Sequence, residues 1–364
     1  MEMLELNGFG TAYRGRRVLV TGHTGFKGSW LCLWLASLGA DVTGIALDPE
    51  PGPNHWDQLA LTINDLRVDI RDEAAVRTVF SAERPEIVFH LAAQPLVRRS
   101  YREPVTTWAT NVMGTAHLME AVRNTPEVRA AVIVTTDKCY ENREWPWAYR
   151  ERDRLGGHDP YGASKASAEL VAASYRTAFF QHPDAPLIAT ARGGNVIGGG
   201  DWSEDRLIPD LVRSVAADEP LTIRSPHATR PWQHVLDCLS GYLALGQQLL
   251  AGDRGYAEAW NFGPDQHCNR TVEEVLQGLA ADWPRARWQV TKDPQPHEAG
   301  LLQLDSAKAI TRLGWHPVWS FERALNHTAG WYRRWLEGGQ VASVDQLAAY
   351  HADAVADGPR WAQG

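Results

Sequence analysis

Cysteine is scarce in this sequence and is not arranged for cross-linking or metal binding. The 364 residues contain four cysteines, at positions 32, 139, 238 and 268, and no two of them have C-x-x-C spacing. This pattern excludes a disulfide scaffold and argues against a zinc site. We therefore expect no bound metal, and reduced thiols in a cytoplasmic protein.

An excess of basic residues and long apolar runs are also missing. The formal net charge is -8, which argues against a nucleic-acid partner, because phosphate binding normally needs a basic face. No apolar run has transmembrane length. The first residues lack the basic and apolar regions of a signal peptide. We therefore expect neither membrane association nor a cleaved leader.

The pattern of apolar residues predicts the fold class. Hydrophobic residues make up 44% and charged residues 22% of the chain, which is ordinary globular composition. From about residue 16, short apolar runs alternate with helical patterns. Strands are predicted at Arg17–Thr21, 41–47, 65–70, 86–92, 130–135 and 187–191, and helices at 29–38, 106–122 and 161–175. Strands separated by helices indicate an α/β fold with a doubly wound parallel sheet.

A second, smaller lobe is predicted after residue 192. Glycine and proline become frequent there, and the strand patterns become irregular. Ala259–Phe262 is a candidate strand that returns to the first domain. We expect the first domain to span 15–192 with a return segment at about 229–264, and the smaller lobe to span 193–228 and 265–340. The tail at 341–364 contains no recognisable motif.

A glycine-rich loop follows the first predicted strand and begins the first helix. It has G-x-x-G-x-x-G spacing, with Gly22, Gly25 and Gly28, and Phe26 lies within it. Such glycines let the backbone approach a pyrophosphate, and the helix N-terminus offers free N–H groups. Placed between a strand and a helix, the loop predicts a dinucleotide cofactor.

Residues at the ends of the next strands are consistent with this site. Asp48 either binds ribose hydroxyls and favours NAD over NADP, or is a solvated loop acid before Pro49. Asp69 and Ile70 are candidates for contacts with the adenine. The fourth predicted strand ends with Ala92, Ala93 and Gln94. Small residues at this position admit the phosphates and ribose of the cofactor.

A tyrosine and a lysine four residues apart carry the predicted chemistry. Tyr161 and Lys165 fall on one face of a predicted helix. A nearby ammonium favours the phenolate, so we expect the pKa of Tyr161 to be lowered toward neutrality. The phenol could then accept a proton from a hydroxyl group while NAD accepts a hydride.

Together, these motifs resemble the extended short-chain dehydrogenase/reductase family. The glycine loop, the Y-x-x-x-K pair and Asn111 all match, over residues of about 16 to 320. The resemblance implies a Rossmann-type NAD domain and a smaller C-terminal lobe that binds a nucleotide sugar. It also implies a homodimer, in which the helices predicted at 106–122 and 161–175 pair across a two-fold axis.

The segment after the strand at 130–135 separates the possible reactions. It contains Thr136, Asp137 and Lys138. Nucleotide-hexose 4,6-dehydratases of this family have Thr-Asp-Glu there, whereas epimerases have small hydroxyl or aliphatic residues. Asp137 therefore indicates a dehydratase, with this carboxyl as the acid for the C6 hydroxyl. A carboxylate that caps the loop is the alternative.

Lys138 departs from that pattern and leaves the base at C5 open. A protonated lysine cannot accept a proton, but a neutral one could, if burial and nearby Lys165 lowered its pKa. Thr-Asp-Lys-Cys-Tyr-Glu-Asn and the Gly-His-Thr-Gly-Phe-Lys-Gly loop resemble the CDP-glucose branch of the 4,6-dehydratases. The cytidine base rests on this resemblance alone. So does the further expectation of a deoxysugar for a surface polysaccharide.

Three residues match the family's contacts with the nucleotide sugar. The resemblance assigns Asn195 and Arg230 to the diphosphate and, more weakly, His297 to the nucleotide. Two alternatives to a dehydratase stay open at this point. One is a nucleotide-sugar 4-epimerase, and the other is a catalytically silent NAD sensor.

Overall fold

The computed structural model describes residues 5–264, 268–291 and 301–363. Its twelve strands, numbered along the chain, are β1 (Arg17–Thr21), β2 (Asp41–Ala46), β3 (Asn64–Arg67), β4 (Ile87–His90), β5 (Ala130–Thr136), β6 (Leu187–Gly193), β7 (Asn195–Ile197), β8 (Leu221–Ile223), β9 (Thr229–His234), β10 (Ala259–Phe262), β11 (Asn269–Thr271) and β12 (Trp288–Val290). Seven of them form one sheet in the order β10-β6-β5-β4-β1-β2-β3. Every pairing in this sheet is parallel.

Helices cover both faces of this sheet. They are α1 (Phe26–Ser37), α2 (His55–Leu59), α3 (Glu73–Glu83), α4 (Val97–Arg102), α5 (Pro104–Trp108), α6 (Gly114–Arg123), α7 (Pro160–Ala178), α8 (Leu207–Ala216), α9 (Val235–Leu250), α10 (Val272–Asp282), α11 (Phe321–Gly338) and α12 (Ser343–Asp357). Helices α1 and α9 pack against the core on one face of the sheet, and α3, α6 and α7 against the core on the other. The predicted doubly wound parallel sheet is confirmed.

The sequence of β5 shows why the sheet is covered on both sides. All seven of its residues are buried. Ala130, Val132 and Val134 belong to the core beneath α1 and α9, whereas Ala131 and Ile133 belong to the core beneath α7. Successive side chains of a strand point to opposite faces, so an unbroken apolar run requires a packed layer on each side.

The predicted helix at 106–122 is interrupted in its middle. Residues Ala109–Met113 form a π-helical turn between α5 and α6. Asn111 lies in this turn, and its side chain binds the backbone of Gln94 and the hydroxyl of Ser164. Such turns often place a functional side chain. No residue type at 109–113 distinguishes a π-helical turn from an α-helix, so this interruption was not predictable from the sequence.

Two short sheets lie outside the central sheet, in the region predicted as the smaller lobe and the start of the return segment. Strands β7, β9 and β11 form one, and β8 pairs with β12 in the other. In the return segment predicted at 229–264, β9 pairs within the small sheet, whereas α9 and β10 pack on the central sheet. The division of the chain into two domains stays a prediction.

The C-terminal tail packs on the first helix of the central domain. The ring of Tyr350 in α12 lies 5.6 Å from that of Trp34 in α1, and its hydroxyl donates to Asp237 Oδ1 at 2.8 Å. Trp361 stacks on Phe9 with ring centroids 4.8 Å apart. The tail therefore belongs to the main core. Within the described ranges, no helix combines the length and apolar character needed to cross a membrane.

Candidate active site

Two glycines of the loop between β1 and α1 have no room for a side chain. Gly22 has φ +76°, and a Cβ added there would lie 2.7 Å from the backbone nitrogen of Ala92. A Cβ at Gly28 would lie 2.1 Å from the carbonyl oxygen of Gly22. Gly25 caps α1 without a side-chain hydrogen bond, and Phe26 is the first residue of the helix. The N–H groups of this turn therefore suit an anionic group such as a pyrophosphate.

The two predicted acidic contacts each pair with a nearby arginine. Asp48 follows β2 and accepts a hydrogen bond from Arg67 Nε at 2.8 Å, while its side chain stays 86% exposed. Asp69 follows β3 and pairs with Arg71, whose hydrogen bonds lower the pKa of the Asp69 carboxyl. Both carboxylates lie at the carboxyl ends of parallel strands, as a dinucleotide site requires.

The apolar residues predicted at this edge of the sheet are close-packed. Ile70 is buried, and a Cβ added at Gly114 would lie 2.5 Å from its Cδ1. Ala92 and Ala93 follow β4 and are half-buried. The side-chain amide of Gln94 bonds to Leu96 and Thr107, at distances of 2.7 to 3.1 Å. These bonds hold the loop after β4.

Helix α7 carries the tyrosine and lysine on one buried face. Its start is fixed by Asp159, which accepts from the N–H of Gly162 at 2.8 Å, and by a proline in the first turn. Lys165 Nζ donates to the carbonyl of Val134 at 3.0 Å. Tyr161 and Lys165 are both under 9% exposed. The lysine is therefore fixed against the end of β5.

The expectation of a lowered tyrosine pKa is wrong for this structure. Burial raises the pKa of Tyr161 to about 12, because the phenolate loses its hydration, and a hydrogen bond with Thr136 offsets only part of that effect. Burial also lowers the pKa of Lys165 to about 8, with a further contribution from the nearby Lys27 ammonium. Both groups are thus biased toward their neutral forms.

A carboxylate, an ammonium, a hydroxyl and an amide meet directly after β5. Asp137, 2% exposed, forms a salt bridge with Lys138 at 3.3 Å and accepts from Thr136 Oγ1 at 2.9 Å. Lys138 Nζ also donates to Asn195 Oδ1 at 3.4 Å. The last residue of β5, the two residues after it and the predicted substrate residue Asn195 therefore lie together. This cluster can exchange protons with a ligand held against Tyr161.

A buried ion pair beneath this cluster was not anticipated from the sequence. Glu169 and Arg192 are each 3% exposed and lie 2.8 Å apart. Thr135 and Thr190 donate to the same carboxylate, and Arg192 donates to Tyr140 Oη at 2.6 Å. Glu169 falls four residues after Lys165, so helical spacing was the signal that could have revealed it.

Two further cations face the cluster and were also missed. Lys27, in the glycine loop, is near enough to Lys165 to affect its pKa. Arg206 precedes α8, is held by Asp201 at 3.0 Å, and acts electrostatically on Tyr161. No short-range pattern links these residues to the Y-x-x-x-K pair, because each comes from a different element.

The remaining predicted substrate residues are placed only in part. Arg230 lies on β9, where its guanidinium donates to the carbonyl of Thr229 at 2.8 Å. His297 lies outside the described residues. The candidate site thus comprises the glycine loop, the strand ends, the buried face of α7, and strands β7 and β9 of the small sheet.

Comparison with known proteins agrees with this geometry. Residues 19–328 match the family model described as GDP-mannose 4,6 dehydratase. The chain is 48% identical to a CDP-glucose 4,6-dehydratase of Salmonella typhimurium, over 93% of this chain and 97% of that protein.

Solved structures with the same architecture include two NAD proteins. A UDP-glucose 4-epimerase of Thermus thermophilus in complex with NAD has a TM-score of 0.76 and 25% identity, covering 87% of this chain and 99% of that one. An NAD-dependent NDP-hexosamine 5,6-dehydratase involved in tunicamycin biosynthesis has a TM-score of 0.73 and 25% identity, covering 87% and 98%.

Proposed function

The chain belongs to the GDP-mannose 4,6-dehydratase family, and on this basis we propose that it is an NAD-dependent hydro-lyase that converts CDP-D-glucose to CDP-4-keto-6-deoxy-D-glucose. The observation that carries the dehydration is the Asp137–Lys138 salt bridge at the end of β5, since it supplies an acid and a base next to Tyr161. The assignment of cytidine as the base of the substrate rests on the similarity to the Salmonella enzyme.

The cofactor site is proposed to use the glycine loop and the strand ends. Backbone N–H groups of the turn from Gly25 to Gly28 would hold the pyrophosphate, and Ala92 and Ala93 leave room beside it. Asp48 would bind the adenosine ribose and disfavour the additional phosphate of NADP. Asp69 and Ile70 would flank the adenine. When bound, NAD supplies the hydride acceptor for C4 and the hydride donor for C6.

Tyr161 is proposed as the group that accepts the proton of the C4 hydroxyl. Only the phenolate can accept this proton, so Tyr161 must first lose its own proton to solvent. Hydride loss from C4 makes the hydroxyl strongly acidic, and a phenolate whose phenol has a high pKa is a correspondingly strong base. The Thr136 hydroxyl donates to Asp137 in the structure, and when turned toward Tyr161 it would donate to the phenolate and stabilise it. Lys165 lies one helical turn away on the same face.

Asp137 and Lys138 are proposed to perform the elimination as a pair. Transfer of one proton across their 3.3 Å salt bridge yields a neutral carboxylic acid and a neutral amine. Lys138 then accepts the C5 proton, which the 4-keto group acidifies, while Asp137 donates its proton to the departing C6 hydroxyl. The C5–H and C6–O bonds break, water leaves, and the pair returns to its ionic form.

The substrate diphosphate is proposed to lie against the smaller lobe. Asn195 touches the Asp137–Lys138 pair through its amide oxygen, and Arg230 follows on the neighbouring strand of the small sheet. Arg206, beside Tyr161, adds a third polar contact. Guanidinium groups suit phosphate because they donate two parallel hydrogen bonds. His297 is proposed to bind near the nucleotide, from the sequence match alone.

A homodimer is proposed through the helices on the α7 side of the sheet. The side chains of Val105, Trp108 and Met113 from the α5–α6 segment and of Leu170 from α7 are exposed. Large apolar side chains grouped on neighbouring helices commonly mark a subunit interface. We also propose a cytoplasmic location, which the four free cysteines support, and a product used for a deoxysugar of a surface polysaccharide such as O-antigen lipopolysaccharide.

Substrate labelled with deuterium at C4 tests this function against the 4-epimerase alternative. A dehydratase moves the label to C6 of a product that has lost one water. An epimerase returns the label to C4 of a sugar with unchanged mass, and that outcome would contradict the proposal. A silent NAD sensor would leave the substrate unchanged. NMR of the purified product locates the label.

A further inference from the structure

The hydrogen-bonding contacts of the Lys27 ammonium, among the residues that the structure describes, are with a phenol and a thiol. Lys27 is in the first turn of α1, and its Nζ lies 3.5 Å from Tyr242 Oη and 3.7 Å from Cys238 Sγ. The thiol of Cys238 in turn donates to the same phenol at 3.0 Å. Among the described residues, Lys27 forms no salt bridge. A half-buried ammonium of this kind projects positive charge into its surroundings, since no described carboxylate lies within salt-bridge distance of it.

The Lys27 ammonium lies at the end of the candidate site where the proposed reaction takes place. A Cβ added at Gly193, the last residue of β6, would lie 3.3 Å from Lys27 Nζ. Gly193 pairs in register with Thr136, directly before Asp137. The Lys27 ammonium also lies close enough to Lys165, on α7, to lower the pKa of that lysine. In the proposed reaction the hydride leaves C4 and the proton leaves the hydroxyl oxygen bonded to C4, so the nicotinamide must lie beside Tyr161 and Lys165.

We propose that Lys27 is a positioning residue for hydride transfer, whose ammonium places a positive charge beside the nicotinamide and so favours the reduced cofactor over the oxidised one. The inference rests on the proposed function, because it assumes an NAD site in this crevice. The oxidised ring carries a positive charge and the reduced ring is neutral. A fixed cation nearby therefore repels the first and not the second, and makes oxidation of the C4 hydroxyl more favourable.

Binding of NAD and NADH measures this effect without catalysis. Coulomb's law, for a unit charge several ångströms from the ring at an effective dielectric constant of about 20 to 40, gives an effect on the order of 10-fold. In Lys27→Met, the ratio of the NAD to the NADH dissociation constant should fall by about that factor. Lys27→Arg keeps the charge and should keep the ratio.

The experiment is calorimetric titration of the cofactor-free protein, with NAD in one titration and with NADH in a separate one. Arg123→Met is the matched control, because it removes one positive charge at the far end of α6, where the side chain contacts Glu120 and the ring of Phe179. The control should leave the ratio unchanged. Lys27→Gln replaces Lys27→Met if the latter does not fold, which circular dichroism shows.

Two results would overturn the role of Lys27 alone. An unchanged ratio in Lys27→Met would mean that its charge does not reach the nicotinamide. An equal loss of affinity for both cofactors would mean that Lys27 binds a group common to both, such as the pyrophosphate. If the parental protein bound neither cofactor, the proposed function itself would fail and the role of Lys27 with it.

Discussion

Replacing Glu169 by glutamine should destabilise the protein strongly. The carboxylate and Arg192 are each 3% exposed and 2.8 Å apart, and Thr135 and Thr190 donate to the same carboxylate. The amide keeps the size of the side chain but leaves a buried guanidinium without its countercharge. Breaking such a pair from one side typically costs about 3 to 5 kcal/mol. We expect the free energy of unfolding of Glu169→Gln to fall by that amount.

Urea denaturation followed by circular dichroism measures the loss, and two variants control it. The double variant Glu169→Gln/Arg192→Met removes both charges and should recover much of the stability, because replacing a buried ion pair with uncharged groups is often neutral. Asp218→Asn breaks an exposed ion pair with Arg287 and should cost less than about 1 kcal/mol. A loss below about 1 kcal/mol in Glu169→Gln would show that the buried ion pair does not stabilise the fold as described.

Four further predictions concern catalysis, stability and assembly. Tyr161→Phe should abolish turnover while calorimetry still detects NAD binding, because only the proton acceptor is lost; substantial residual activity would remove Tyr161 from that role. Asp137→Asn should slow water loss by about 10²–10⁴-fold and accumulate reduced cofactor, seen by absorbance, whereas Lys138→Ala should also lose C5 exchange with deuterated water; parental rates would contradict both assignments. Burial raises the pKa of Asp237 from 3.8 to about 7, so this carboxyl is protonated in the folded state up to higher pH than in the unfolded state. Its contribution to stability is therefore present below pH 4 and is lost as the pH rises through 7. The urea midpoint of the parental protein relative to Asp237→Asn should fall between about pH 4 and pH 7, and a constant difference over this range would contradict the shift. Leu170→Glu should convert a dimer to monomers in sedimentation velocity, and a parental monomer at micromolar concentration would exclude the interface.

The parts of the site predicted from the sequence are those encoded by local spacing. The glycine loop needs only a strand, three glycines and a helix in succession, and the pair of Tyr161 and Lys165 needs only one helical turn. The seven-stranded sheet follows from apolar runs such as β5, whose length and composition leave few alternatives. These features are visible in single stretches of sequence.

What was missed depends on contacts between distant segments. Glu169 and Arg192 are 23 residues apart, and Lys27 is 211 residues from Cys238. The π-helical turn at Asn111 follows from its bonds to Gln94 and Ser164, not from local preference. The predicted direction of the Tyr161 pKa shift was wrong because burial, which only the packed structure reveals, is the largest influence on this pKa and raises it.

The reaction that we propose for this protein is the removal of one water from CDP-D-glucose. The most direct test is to incubate the purified enzyme and NAD with CDP-, dTDP-, UDP- and GDP-glucose, and to follow each nucleotide sugar by mass spectrometry. We predict loss of one water from CDP-glucose, at a higher kcat/KM than for the other three. Turnover of another nucleotide-glucose in preference would contradict the cytidine assignment, and conversion without any loss of mass would contradict the dehydratase.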